Sequence, residues 1–259
     1  MIEAGRQMNL SLCNVTFSLV FILALGGFVG CSTLTGSNFE KECHESWCYS
    51  KESLEGWTVH YAQDFEKDRI HFTEVRKHLA EDLQKITQTI PPSRVSELRE
   101  ISIYVSRSDP QGRSPFGVYH YSKDVLIERG MDPEKFQSIE LANSKNYLNW
   151  TKSQPAAVLH EFAHAYFHRF LTFDQKNRIT LAYKAAVKRG NYRNVPYYSG
   201  TSTFKKDSYA LKDEYEYFCE AVEAYFWRND YFPFTREDLK KHDPRIFNLL
   251  VEIWEDPQG

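Results

Sequence analysis

The spacing of apolar residues changes period along the chain. Val75, Leu79, Leu83, Ile86 and Ile90 recur at steps of three and four until Pro91 and Pro92 interrupt them, which predicts an amphipathic helix ending at the prolines. Around it the pattern is short and strand-like: Thr58 to Tyr61, the alternating Ile101 to Val105, Gly117 to Tyr121 (GVYHY) and Ser138 to Ala142. Ser122 to Gly130 fits a short capped helix between the last two. From residue 155 onward the period is helical. Val158 to Phe170 predicts a helix with Ser153 as N-cap and Pro155 in its first turn, and Asp174 to Arg189 predicts a basic amphipathic helix. Tyr192 to Lys206 is turn-rich and fits a hairpin. The acidic stretch EYEYFCEAVEAYFW is a further helix, Thr235 with Asp238 makes a capping box, and Asp243-Pro244 opens a last helix through Trp254. A small mixed sheet with helices, followed by a helical half, is an α+β arrangement.

The N-terminal stretch has a different character. Residues 16–30 form an apolar run of signal-peptide length, short for a membrane span. Gly30-Cys31 then resembles a lipobox, although Phe28 stands where a leucine is usual. The expectation is a signal peptide over 1–31 with lipidation at Cys31, a Ser/Thr/Gly-rich and charged tether over 32–55, and a single globular domain over 56–259. The chain would thus be exported, as a bacterial lipoprotein anchored in a membrane and facing the periplasm or cell surface, or else secreted. Cys43 and Cys48 are spaced for a small disulfide loop in an oxidising compartment; Cys219, inside the acidic helix, reads as a packed hydrophobe. With 42% hydrophobic and 26% charged residues, the chain has the material for one sizeable core. A formal charge of −3 leaves no footprint for nucleic acid.

Candidate chemistry concentrates in HEFAHA, residues 160–165. His160 and His164 are four apart, so a helix projects both imidazoles from one face, where they can ligate one metal ion. Glu161 beside them is placed to take a proton from water, so the motif points to one catalytic Zn2+ per chain. His168, four residues further, is too far along a straight helix to join the same ion and reads as a polar tip. A metzincin would need Gly and His where Phe167 and Phe170 stand. The third ligand must come from elsewhere. Glu216, Glu220 and Glu223 share one face of the acidic helix, which has no basic residue between Asp213 and Phe226, and acids in apolar surroundings need a cation. The residues alone leave the ligand open between Glu216 and Glu220.

HEFAHA, Tyr209 and EYFCEA at 216–221 together resemble the gluzincin metallopeptidases, in the branch related to the catalytic domain of anthrax lethal factor. The likeness extends over about residues 57–254. In that family a tyrosine precedes the glutamate ligand by seven residues and a second acid follows it by four, a spacing that Tyr209, Glu216 and Glu220 match. The resemblance implies a zincin-like fold and zinc held by His160, His164 and Glu216. Glu161 would be the general base, Tyr209 the oxyanion donor, and Glu220 the acceptor for the free ring nitrogen of a ligand histidine. It also implies that an extended peptide substrate pairs with an edge strand, here Gly117, Val118, Tyr119, His120 and Tyr121; His120 itself fits a strand position better than a cleft position. The competing expectation is an exported surface binding module whose zinc is structural or vestigial.

Overall fold

The computed structural model describes residues 39–44, 46–63, 65–107 and 116–255. The signal-peptide segment, Cys31 and residues 32–38 lie outside them. The described chain runs β1 (Glu40–His44), β2 (Trp47–Leu54), β3 (Trp57–Ala62), α1 (Arg69–Thr89), α2 (Pro92–Leu98), β4 (Ile103–Val105), β5 (Val118–Tyr119), α3 (Lys123–Glu128) and β6 (Ile139–Leu141). The remainder is helical apart from one hairpin: α4 (Ser144–Trp150), α5 (Ala157–Arg169), α6 (Phe173–Arg189), β7 (Val195–Tyr198), β8 (Thr203–Lys206), α7 (Glu214–Phe226), α8 (Arg236–His242) and α9 (Pro244–Trp254). This is a mixed α+β architecture.

The sheet order is β1-β2-β3-β4-β6-β5. Strands β3, β4 and β6 run parallel, while β1, β2 and β5 pair antiparallel with their neighbours. Among the described residues β5 is thus an edge strand, paired on one side alone.

The tether expected over 32–55 is corrected here, since Glu40–His44 and Trp47–Leu54 are two strands of the sheet. Glu55 (φ 51°) and Gly56 (φ 90°) form the two-residue turn that joins β2 to β3, and both positions require the left-handed backbone of a tight hairpin. The polar composition misleads because its partners are distant in sequence. Buried Glu52 accepts from Arg76 Nε and Nη2, each at 2.7 Å, and from the Tyr61 hydroxyl at 2.9 Å. Cys43 and Cys48 face one another across the β1–β2 pair and are joined by a disulfide.

Helix α1 stops at the prolines as the pattern predicts, but Pro92 also starts α2, because a proline at a helix N-terminus has no amide hydrogen to waste. Val75, Leu79, Leu83 and Ile86 of α1 are buried against the sheet's Trp57, Val59 and Tyr61 in one continuous core. The Trp57 indole donates to Leu98 O at 3.0 Å, and its ring lies 5.8 Å from that of Phe162 on α5. Helix α5 packs against β5, β6 and α7, which fixes its polar side chains relative to both the edge strand and the acidic helix.

Candidate metal centre

Helix α5 is buried on nearly every side, from Ala157 through Ala163. Its expected N-cap is corrected: Ala156 occupies the cap, while the Ser153 hydroxyl donates to Trp150 O within the preceding turn. Inside this apolar environment His160 is held at both ring nitrogens. Nδ1 donates to Glu223 Oε1 at 2.6 Å, which leaves Nε2 as the lone-pair nitrogen of a neutral ring. His160 Nε2 is 3.2 Å from His164 Nε2 and 3.0 Å from Glu216 Oε2, and His164 Nε2 is 3.2 Å from the same oxygen.

Three electron-pair donors thus face one point from three corners. Lone pairs so close repel unless a proton or a metal ion lies among them. Ligands about 2.0–2.1 Å from a tetrahedral ion stand about 3.3 Å apart, near the spacing found here. Two imidazoles and one carboxylate are the donor set of a catalytic zinc site with room for a further ligand, so these residues fit zinc. Without a metal, burial opposes charge on His160, but its bonds to Glu216 and Glu223 prevail and hold its pKa well above the ordinary value. Burial works against Glu216 ionising, yet hydrogen bonds from His160 and His164 hold its pKa far below normal.

The position of Glu216 is set by local chemistry. Asp213 caps α7, its Oδ1 accepting from the amides of Tyr215 (3.0 Å) and Glu216 (2.9 Å). This places Glu216 in the first turn, where the helix dipole favours an anion. Tyr209 opens the short 3-10 turn before α7, is 42% exposed and lines the cleft. Burial raises its pKa despite the neighbouring Lys212, so it remains a proton donor at neutral pH. Lys212 joins the two residues: Nζ donates to Tyr209 Oη at 2.8 Å and to Glu216 Oε1 at 2.6 Å.

Glu161 is buried, and that burial raises its pKa against the pull of His164 and His160. Its neighbour is the edge strand. A Cβ built on Gly117 would stand 3.0–3.3 Å from Glu161 Oε1, Cγ and Cδ, so the glycine lets backbone approach the carboxylate closely. Gly117, Val118, Tyr119 and Tyr121 all line a cleft of about 1050 Å³ that also contains His160, Glu161, His164, Tyr209 and Glu216. The strand itself is only Val118–Tyr119, with pairing continued by His120 N donating to Ser138 O. The side chain of His120 turns away to buried Glu140, its Nε2 donating to Oε2 at 2.8 Å. His168 Nδ1 is 3.1 Å from the Tyr119 hydroxyl and takes no part in the convergent set.

One expected role moves. Glu223, not Glu220, accepts from His160 Nδ1. Glu220 Oε2 accepts instead from Asn229 Nδ2 at 3.0 Å. The difference is axial: His160 Nε2 meets α7 at Glu216, while its Nδ1 meets it at Glu223, two turns on, past the level of Glu220. Gln154 also donates to Glu223 Oε1 at 3.0 Å. The sequence pattern misses Gln154 and Lys212, although Lys212 stands four residues before Glu216 at ion-pairing distance on a helical path. Cys219 Sγ lies within 4.8 Å of ring nitrogens of His160 and His164. Without a metal, burial and then the surrounding carboxylates push its pKa well up. Compared with models of known protein families, with curated proteins and with solved structures, the chain has no match.

Proposed function

We propose that this protein is a zinc-dependent endopeptidase of the gluzincin type. The observation that carries the reading is the meeting of His160 Nε2, His164 Nε2 and Glu216 Oε2 within 3.2 Å of one another on the wall of an open cleft. Zinc, when bound, would supply a Lewis acid that polarises the scissile carbonyl and lowers the pKa of water. Glu161, next to His160 and lining the same cleft, takes the proton of the attacking water. The same carboxyl then returns the proton to the leaving amine. Tyr209 donates to the oxyanion, and Lys212 keeps that hydroxyl beside Glu216. Glu223 fixes the ring of His160 through Nδ1.

The substrate's place follows from β5. Among the described residues no strand covers its outer edge beside Glu161, and an extended peptide can add there as a further strand. Aromatic side chains of Tyr119, Trp150, Phe167 and Tyr215 flank the same cleft, which supplies apolar surface for substrate side chains. The Cys43–Cys48 bridge supports an exported protein, and Cys31 remains the proposed point of lipid attachment.

Incubating the purified protein with a diverse peptide library, with and without a chelator, tests the activity. Cleavage should occur only with metal, and Glu161→Gln should keep about one zinc per chain while the rate falls by on the order of 10²-fold or more. Loss of zinc together with activity in that variant would overturn the role of Glu161. A zinc-loaded wild-type protein that cleaves nothing overturns the peptidase reading in favour of a surface binding module.

A further inference from the structure

The candidate centre uses Glu216 as a ligand and Glu223 as a positioning group, yet more carboxylates stand behind it. Glu220, Glu223 and Asp230 are 2%, 0% and 6% exposed. Carboxylate oxygens of Glu220 and Glu223 lie within 4.8 Å of each other and of a His160 ring nitrogen. Asp230 adjoins this pair: its neighbour Asn229 donates to Glu220 Oε2 at 3.0 Å, and Asp230 lines the same cleft as Glu220.

Their hydrogen bonds do not satisfy them. Glu223 Oε1 takes both His160 Nδ1 and Gln154 Nε2, and Glu220 Oε2 takes Asn229 Nδ2. Glu223 Oε2 and Asp230 Oδ1 are buried without a partner among the described residues. The one ion-pair contact that any of the three makes there is Glu223 with His160, and a ring that gives its Nε2 lone pair to a metal is uncharged. Lys206 acts on Asp230 from further away, its Nζ lying 3.5 Å from the Tyr197 ring centroid and 4.7 Å from that of Tyr231. Three carboxylates out of water with no contacting cation cost several kcal/mol each if ionised.

We propose that Glu220, Glu223 and Asp230 form a second cation site, built for a hard divalent ion of the calcium type. The donors are all oxygen and all anionic, with two of them unpartnered, which suits an ion that takes six to eight oxygens in flexible geometry. Zinc prefers the nitrogen-bearing set next door, and magnesium retains waters that a buried site holds poorly. Glu220 and Asp230 both line the cleft, which gives the ion a way in. An ion there ties the loop carrying Asn229 and Asp230 to α7 and braces Glu223 behind His160. In its absence protons take its place: burial, then Glu223, brings the Asp230 carboxyl up to about 7.

The test counts metals and does not depend on catalysis, so its outcome is separate from that of the peptidase reading. Full-length protein loaded with zinc and stripped of calcium is titrated with calcium chloride. Calorimetry and elemental analysis should show one calcium per chain with zinc retained, and the melting temperature should rise. Asp230→Asn and Glu220→Gln should each weaken calcium binding by roughly 10-fold or more, since affinity follows the count of charged ligands, while zinc content stays at the wild-type level. No calcium uptake at millimolar concentration overturns the site. So does uptake that persists unchanged in both folded variants.

Discussion

Replacing Glu223 tests the geometry of the centre more sharply than replacing a ligand, because the residue touches the metal set only through a hydrogen bond. Glu223→Ala removes the acceptor for His160 Nδ1 (2.6 Å) and for Gln154 Nε2 (3.0 Å) at a position with no exposed surface. The His160 ring then has a buried donor with no partner and loses the carboxylate that makes Nε2 a better ligand. One charge-assisted bond of this kind contributes about 1.5–3 kcal/mol, equal to a loss of about 10- to 100-fold in zinc affinity. Glu223→Gln keeps an acceptor oxygen without the charge and should fall near the lower figure. Glu220→Gln touches neither ring and should stay within about 3-fold of wild type. Competition for zinc against a chromophoric chelator, in calcium-free buffer at fixed pH, measures all three. Should Glu220→Gln lose more zinc than Glu223→Ala, the assignment of Glu223 is wrong and the spacing inferred from family resemblance is right.

Gly117→Ala should leave zinc content unchanged but lower kcat by about 10-fold, because its Cβ would press within 3.0–3.3 Å on the Glu161 carboxylate and displace it by tenths of an ångström; a wild-type kcat refutes the close approach. Lys212→Met should also reduce kcat by about 10-fold through the loss of its bonds to Tyr209 and Glu216, with a smaller effect on zinc; the same kcat with weaker zinc binding would show that Lys212 serves the ligand alone. Asp82 predicts a pH dependence of stability. Burial raises its carboxyl from 3.8 to about 7, partly opposed by the Tyr147 hydroxyl that donates to it at 2.5 Å. Between these values the folded chain holds a proton that the unfolded chain has lost, so this group makes stability fall as pH rises from about 4 to 7, by at most about 4 kcal/mol. Asp82→Asn should flatten that part of the denaturant-measured stability profile, and an unchanged slope refutes the shift.

Much of the helical half is legible because its signals are local. The Thr235–Asp238 capping box forms as the sequence predicts, and the hairpin over 192–206 appears as β7 and β8. Strands β1 and β2 are not legible. Their stability comes from Arg76 on α1, from the Cys43–Cys48 bridge and from pairing with β3; the cysteine spacing announces the bridge, but the other two leave no trace in the local polar composition. Gly117 is likewise invisible as a special residue within GVYHY, since only the approach of α5 makes the lack of a side chain matter.

The acidic helix shows where periodicity stops short. Steps of four and three place Glu216, Glu220 and Glu223 on one face of α7, and the structure keeps all three buried. Periodicity gives the face but not the axial level at which α5 crosses it. That level decides the roles: Glu216 meets both Nε2 atoms, Glu223 meets Nδ1 two turns on, and Glu220 between them accepts from Asn229. A carboxylate left over after the histidines are served is costly in an apolar helix unless something else holds it, and Asp230 adds another from a different segment. The same crossing of α5 and α7 that brings the first centre together therefore also creates the need for a second cation beside it.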